Sequence, residues 1–185
     1  MIASFDVRYE VDPGCCVPNT QPQDINLFGQ ITGFYFDVDG WGGGVIRGFL
    51  RQPNGTIIRF DPPDSIKVIP KAINLFGQIT GYYRDSNSVV HGFLRQPNGQ
   101  IITLDPPSSI DTEPNSINLL GQITGFYFGR DETYHGFLRN WDGTVTTFDV
   151  PNSQGTFAQS INIAGQISGY YFDGSTYHGF VRAAY

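Results

Sequence analysis

The chain has 185 residues, a formal charge of −6 and only 15% charged side chains, which suits one compact domain or a small closed repeat protein. Ala, Leu, Glu and Lys together number 19, against 18 Ile, 13 Thr, 15 Phe, 10 Tyr and 23 Gly, so helical bundles and α/β folds are excluded and strands and turns are expected. Apolar runs are too short for a membrane-spanning helix, and two lysines in an acidic chain leave no electrostatic footprint for nucleic acid or anionic lipid.

In chain order, Met1 to Asp6 shows neither the basic nor the apolar region of a signal peptide. Cys15 and Cys16 are the only cysteines. Being adjacent, they read as two free thiols in a loop, because a vicinal disulfide needs a strained ring.

From Ile25 onward the chain repeats itself. Ile25-Asn26-Leu27-Phe28-Gly29-Gln30-Ile31-Thr32-Gly33 returns at Ile73, Ile117 and Ile161, with start-to-start spacings of 48, 44 and 44 residues, a range typical of propellers and solenoids. A second block follows each time: Arg47-Gly48-Phe49, His91-Gly92-Phe93, His135-Gly136-Phe137 and His178-Gly179-Phe180. A third block, Thr56–Asp61, Gln100–Asp105 and Thr144–Asp149, precedes a proline-containing stretch. Each block reads as a strand, and Asn54-Gly55, Asn98-Gly99 and Asp142-Gly143 are hairpin signals. A short innermost strand is expected before each Ile-Asn, at Pro70-Lys71-Ala72 for example.

The fourth repeat stops before its third block, and Val7 to Pro13 lines up with Thr56 to Pro62. The expected fold is therefore an all-β, four-bladed β-propeller with about four strands per blade. Its last blade would be closed by the N-terminal strand, Val7 to Val11 pairing with the strand around Gly179. Residues 1–185 form a single domain on this reading, with repeats 25–72, 73–116, 117–160, and 161–185 joined with 1–24.

Positions present four times are read first as structural. Asn26, Asn74, Asn118 and Asn162 suit Asx turns. Arg51, Arg95, Arg139 and Arg182 are expected to pair with Asp61, Asp105, Asp149 and Asp12. Arg47, His91, His135 and His178 form the one equivalent set that could be brought together as a metal-assisted site, with each His capping its own blade as the structural alternative. Asp37-x-Asp39-Gly40 resembles the start of a calcium loop without its later acceptors. No catalytic triad, phosphate loop or cofactor motif is present.

The loops that break the symmetry are the better candidates for recognition. Trp41 lies in a glycine-rich insert of the first repeat, and Asp85, Asp131 and Asp173 occupy the corresponding loops, with Tyr134 and Tyr177 beside them. Exposed aromatics next to Asp and Asn suit a sugar surface. These six are the expected ligand-binding residues, with Trp41 as aromatic anchor.

The pattern Ile-Asn-x-x-Gly-Gln-Ile-x-Gly, His-Gly-Phe, Thr-x-Phe-Asp-x-Pro resembles the bacterial HAF-type extracellular repeat, with Gly in place of the Ala of His-Ala-Phe. The resemblance implies propeller-like β-repeats and an extracellular or periplasmic location, and no defined activity. The expected function is a non-catalytic binding module that recognises a glycan or protein partner through loops on one propeller face. The alternative is a small enzyme using His, Arg and Asp groups in a central channel or between blades.

Overall fold

The computed structural model describes residues 4–7, 19–38 and 44–184. Trp41, Asp39, Cys15, Cys16 and the segment 8–11 lie outside them. Fifteen strands are described. β1 (Thr20–Ile25), β2 (Ile31–Val38), β3 (Gly44–Arg51) and β4 (Ile57–Phe60) make a first antiparallel meander, and β5 (Ser65–Ile73), β6 (Ile79–Asp85), β7 (Val90–Arg95) and β8 (Ile101–Leu104) a second. β9 (Ser109–Ile117), β10 (Ile123–Gly129), β11 (Tyr134–Arg139) and β12 (Val145–Phe148) make the third; β13 (Gly155–Ile161), β14 (Ile167–Phe172) and β15 (Tyr177–Arg182) the fourth. One parallel bridge, Ile46 to Lys67, joins the first meander to the second. The protein is thus an all-β chain of several sheets, none of them closed into a barrel.

Two strand assignments differ from expectation. The first strand is long in the second and third meanders (nine residues in β5 and β9), and the outer one is short, four residues in β4, β8 and β12. Pro70 and Pro114 do not break their strands because each sits at a register shift, where no ladder N–H is required. The facing glycine is obligatory there: a Cβ on Gly81 would lie 2.2 Å from the Ile69 carbonyl oxygen, and one on Gly125 2.2 Å from that of Glu113.

The core lies between sheets. Leu50 and Phe60 of the first meander bury with Val68, Ile73, Ile79, Tyr83 and Phe93 of the second. Leu94 and Leu104 do the same with Ile117, Ile123, Tyr127 and Phe137, and Leu138 with Ala158, Ile161 and Ile167.

The N-terminal segment joins this series in a register six residues from the expected one. Phe5 meets Phe49 edge-on at 6.0 Å under the Arg51 guanidinium, as Phe60 meets Phe93 at 6.0 Å under Arg95 and Phe148 meets Phe180 at 6.2 Å under Arg182. Val7 N–H donates to Thr20 Oγ1 at 3.0 Å, as Val150 N–H does to Thr156 Oγ1. Toward the following sheet, Phe5 and Val7 therefore make the contacts that Phe148 and Val150 make at the third junction. The Asp12-Pro13 pair suggested the other alignment by matching Asp61-Pro62, but the residue after this aspartate is valine in Asp149-Val150 as well. Among the described residues, no strand pairs with the free edge of β15.

The repeated asparagine makes the expected turn and also a link between sheets. Asn118 Oδ1 accepts from the N–H of Leu120 and of Gln122, while its Nδ2 donates to Gln122 Oε1 and to the carbonyl of Asn162 in the next repeat. Asn26 and Asn74 donate in the same way to Asn74 and Asn118. Replacing Asn118 by Asp keeps the acceptor and removes both donors. Because Asn118 is buried, the change is expected to cost roughly 1–3 kcal/mol of stability in urea unfolding.

Candidate functional site

The meander topology sorts the loops onto two ends. The Asn turns and the Asn-Gly hairpins share one end, where Gln78 Nε2 donates to Gln96 Oε1 at 3.1 Å. The loops between second and third strands share the other end with the Asp-Pro linkers. The hairpin register builds a charged clamp there. Gly48 stands opposite Phe60, Gly92 opposite Leu104 and Gly136 opposite Phe148, so the aspartate after each outer strand faces Arg47, His91 or His135.

Arg47 is bound by Asp37 and, at 2.8 Å, by Asp61. His91 Nδ1 lies 2.7 Å from Asp105, with Asp85 3.7 Å from Nε2. His135 Nδ1 lies 2.9 Å from Asp149, and its Nε2 is 3.1 Å from Asp131. His178 Nε2 lies 3.0 Å from Asp173. Each imidazole also stacks on a tyrosine of its own sheet, at 5.0–5.2 Å: Tyr83, Tyr127 and Tyr171.

The structure places the expected site residues as follows. The three histidines are held separately, each by carboxylates of its own repeat, and among the described residues no group of three His, Cys, Asp or Glu side chains is placed to bind a metal. Asp37, half of the calcium motif, neutralises Arg47. Asp85 and Asp173 fold their loops: Asp85 accepts from the N–H of Asn87 and Val89, and Asp173 from the N–H of Ser175 and Thr176. Among the described residues Arg51, Arg95 and Arg139 do not pair with Asp61, Asp105 and Asp149, which are held by Arg47, His91 and His135; the expected pair of Arg182 with Asp12 lies outside the described residues. Arg95 and Arg139 donate to the carbonyls of Gln96 and Asn140, and Arg51, Arg95 and Arg182 lie over Phe5, Phe60 and Phe148. Counting back from the hairpin explains this. Arg51 stands opposite Ile57, which leaves Asp61 beside Arg47.

Tyr134 and Tyr177 belong to one run of rings crossing from the third sheet to the fourth. Tyr134 lies 4.9 Å from Phe157, Phe157 stacks on Tyr170 at 4.9 Å, and Tyr170 meets Tyr177 at 5.6 Å. Tyr134 keeps 40% of its surface exposed and Tyr177 64%. Beside Tyr134 opens a cleft of about 220 Å³, lined by Thr133, Tyr134, His135, Asp149 and residues 150–155. The linker creates it. Gln154 stands where the other repeats have Ile66 and Ile110, and Gly155 stands where they have Lys67 and Asp111. Those two substitutions were visible in the sequence, but their meaning depends on which sheet the linker faces. Trp141, 76% exposed, lies in a hairpin at the opposite end.

The cleft's imidazole is engaged on both nitrogens. Burial pulls the His135 pKa down, and the hydrogen bonds to Asp131 and Asp149 outweigh it, so the net shift is upward. Asp131 is held below the ordinary carboxylate range, chiefly by His135. Elsewhere, burial pushes the Glu113 carboxyl up against the lowering effect of Lys71.

No protein-family model matches this sequence, and no curated protein matches it.

A histidine whose pKa is raised by folding adds stability that is fully present below its unfolded pKa, near 6.5, and is lost as pH rises through the higher folded value. Wild-type stability should therefore fall as pH rises above about 6.5, and His135→Gln should flatten that fall in denaturation curves taken below and above it.

Proposed function

We propose that this chain is a non-catalytic binding module of an exported bacterial protein: a four-bladed β-propeller of HAF-type repeats that binds a glycan on the end bearing the second-to-third strand loops. The observation that carries the reading is the cleft beside Tyr134, where an exposed ring borders a small opening rimmed by hydroxyl, amide and carboxylate groups. Its volume is below the roughly 300–1,000 Å³ of drug-sized sites, which suits one sugar unit of a longer chain. A ring face for the apolar side of a sugar and amide and carboxylate groups for its hydroxyls are the chemistry such a ligand requires. Tyr177, at the equivalent position of the fourth sheet and joined to Tyr134 through Phe157 and Tyr170, extends the surface along which further units would lie.

Binding is favoured over catalysis by the state of the polar groups. His135 stands between two carboxylates that use both of its nitrogens, which leaves no free general base. In the third clamp Thr133 Oγ1 does lie 2.9 Å from His135 Nε2, and Asp149 holds Nδ1, but Asp131 shares Nε2 at 3.1 Å, so that nitrogen is not reserved for the hydroxyl as a triad requires. Export is supported by the composition and by the resemblance of the repeats.

A glycan-array screen followed by calorimetric titration of the best ligand tests the reading. Tyr134→Ala should weaken binding by about tenfold, the scale of one aromatic contact, and shift the melting temperature by only a few degrees. The reading fails if no glycan binds, if Tyr134→Ala and Gln154→Ala both leave affinity unchanged, or if the bound glycan is turned over.

A further inference from the structure

The three junctions inside the chain are alike, and the two ends of the chain carry the halves of a fourth. Leu50, Leu94 and Leu138 are covered by the following sheet (3%, 2% and 9% exposed), whereas Val181 in the same position is 74% exposed. Ile73, Ile117 and Ile161 are covered by the preceding sheet (5%, 8% and 6%), whereas Ile25 is 61% exposed.

The glycine of the second block makes the comparison sharper. A Cβ on Gly48 would lie 2.7 Å from the Phe60 ring, and one on Gly136 2.7 Å from the Phe148 ring; on Gly92 it would meet the Leu104 carbonyl at 2.4 Å. These positions must be glycine because the outer element lies on them. On Gly179 the nearest atom is 3.9 Å away, so nothing in the fourth sheet itself requires a glycine there.

The residue that would require it is already half seated. Phe60 and Phe148 each touch two sheets, their own glycine on one side and the next sheet's Phe and Arg on the other. Phe5 makes the second set of contacts, to Phe49 and Arg51.

We propose that the chain's own Phe5-Asp6 supplies the outer element of the fourth sheet, Phe5 covering Gly179 and Asp6 standing against His178. This rests on the propeller reading above and gives the ring its seam. The pairing register follows from the other hairpins, where Phe60 faces Gly48 and Phe148 faces Gly136. It completes the fourth clamp, with His178 between Asp173 and Asp6 as His135 lies between Asp131 and Asp149. The chain's own segment is favoured over that of a second copy because a tethered segment meets its site at an effective concentration in the millimolar range. Tyr177 then sits at the rim of the seam as Tyr134 does at the third junction.

Two measurements test the seam. In a chain with Cys15 and Cys16 replaced by Ser, the pair Asp6→Cys and His178→Cys should form a disulfide within one monomer, read by peptide mapping and size-exclusion chromatography. No disulfide, or one found only in covalent dimers, would overturn the proposal. Gly179→Ala should lower the melting temperature by several degrees, and by much less in a Phe5→Ala background. A Gly179→Ala chain as stable as the wild type, or more stable, would also overturn it. Small-angle scattering separates this from the propeller itself: a closed ring without the disulfide would contradict the seam and leave the ring standing.

Discussion

Each meander in this protein is apolar on both faces, and burial of those faces against neighbouring sheets is what the rest of the structure depends on. A lone three- or four-stranded sheet is marginal in water, and repeat units of this kind draw their stability from the interfaces between them. The side chains with no exposed surface show where that stability lies. Ile79, Ile123 and Ile167 come from the second strand, and Phe49, Phe93 and Phe137 from the third; the clusters of all but Phe49 are completed by residues of the preceding meander, and that of Phe49 by the N-terminal Phe5 and Val7. At about 25 cal/mol per Å² of apolar surface, these junctions outweigh any polar contact in the chain.

The polar repeats set geometry. The Asn ladder ties turn to turn across the sheets, which fixes their spacing. At the end opposite the Asn ladder, the Arg and His clamps tie the second-to-third strand loops to the linkers after the outer strands. Partly exposed ion pairs of this kind contribute little net stability, but they hold the loops beside the cleft in one arrangement. A binding surface on loops needs that more than it needs extra stability.

Much of this was legible in the sequence, because the repeat made each signal appear several times. The strand order, the Asn-Gly hairpins and the Asx turns followed from local residue chemistry. The errors arose where local chemistry points two ways. The innermost strand around Pro70 is expected to be short, whereas a bulge opposite a glycine lets β5 and β9 run through Pro70 and Pro114 for nine residues. Asp12-Pro13 matched Asp61-Pro62 better than Asp6-Val7 did, and only the packing of Phe5 on Phe49 separates the two alignments. Counting strand positions from the hairpins would have paired His135 with Asp149 and spared Arg139. The cleft was not legible, since Gln154 and Gly155 are ordinary linker residues until the third and fourth sheets are placed side by side.

The claim that stability sits in the junctions is tested most directly at Leu94, which is 2% exposed and covered by Ile117 and Ile123 of the following sheet. If the junctions carry the fold, Leu94→Ala should cost roughly 2–5 kcal/mol in urea unfolding, within a single transition for the whole chain. A cost well under 1 kcal/mol, or separate transitions for separate sheets, would mean that each sheet is stable by itself and would contradict the account.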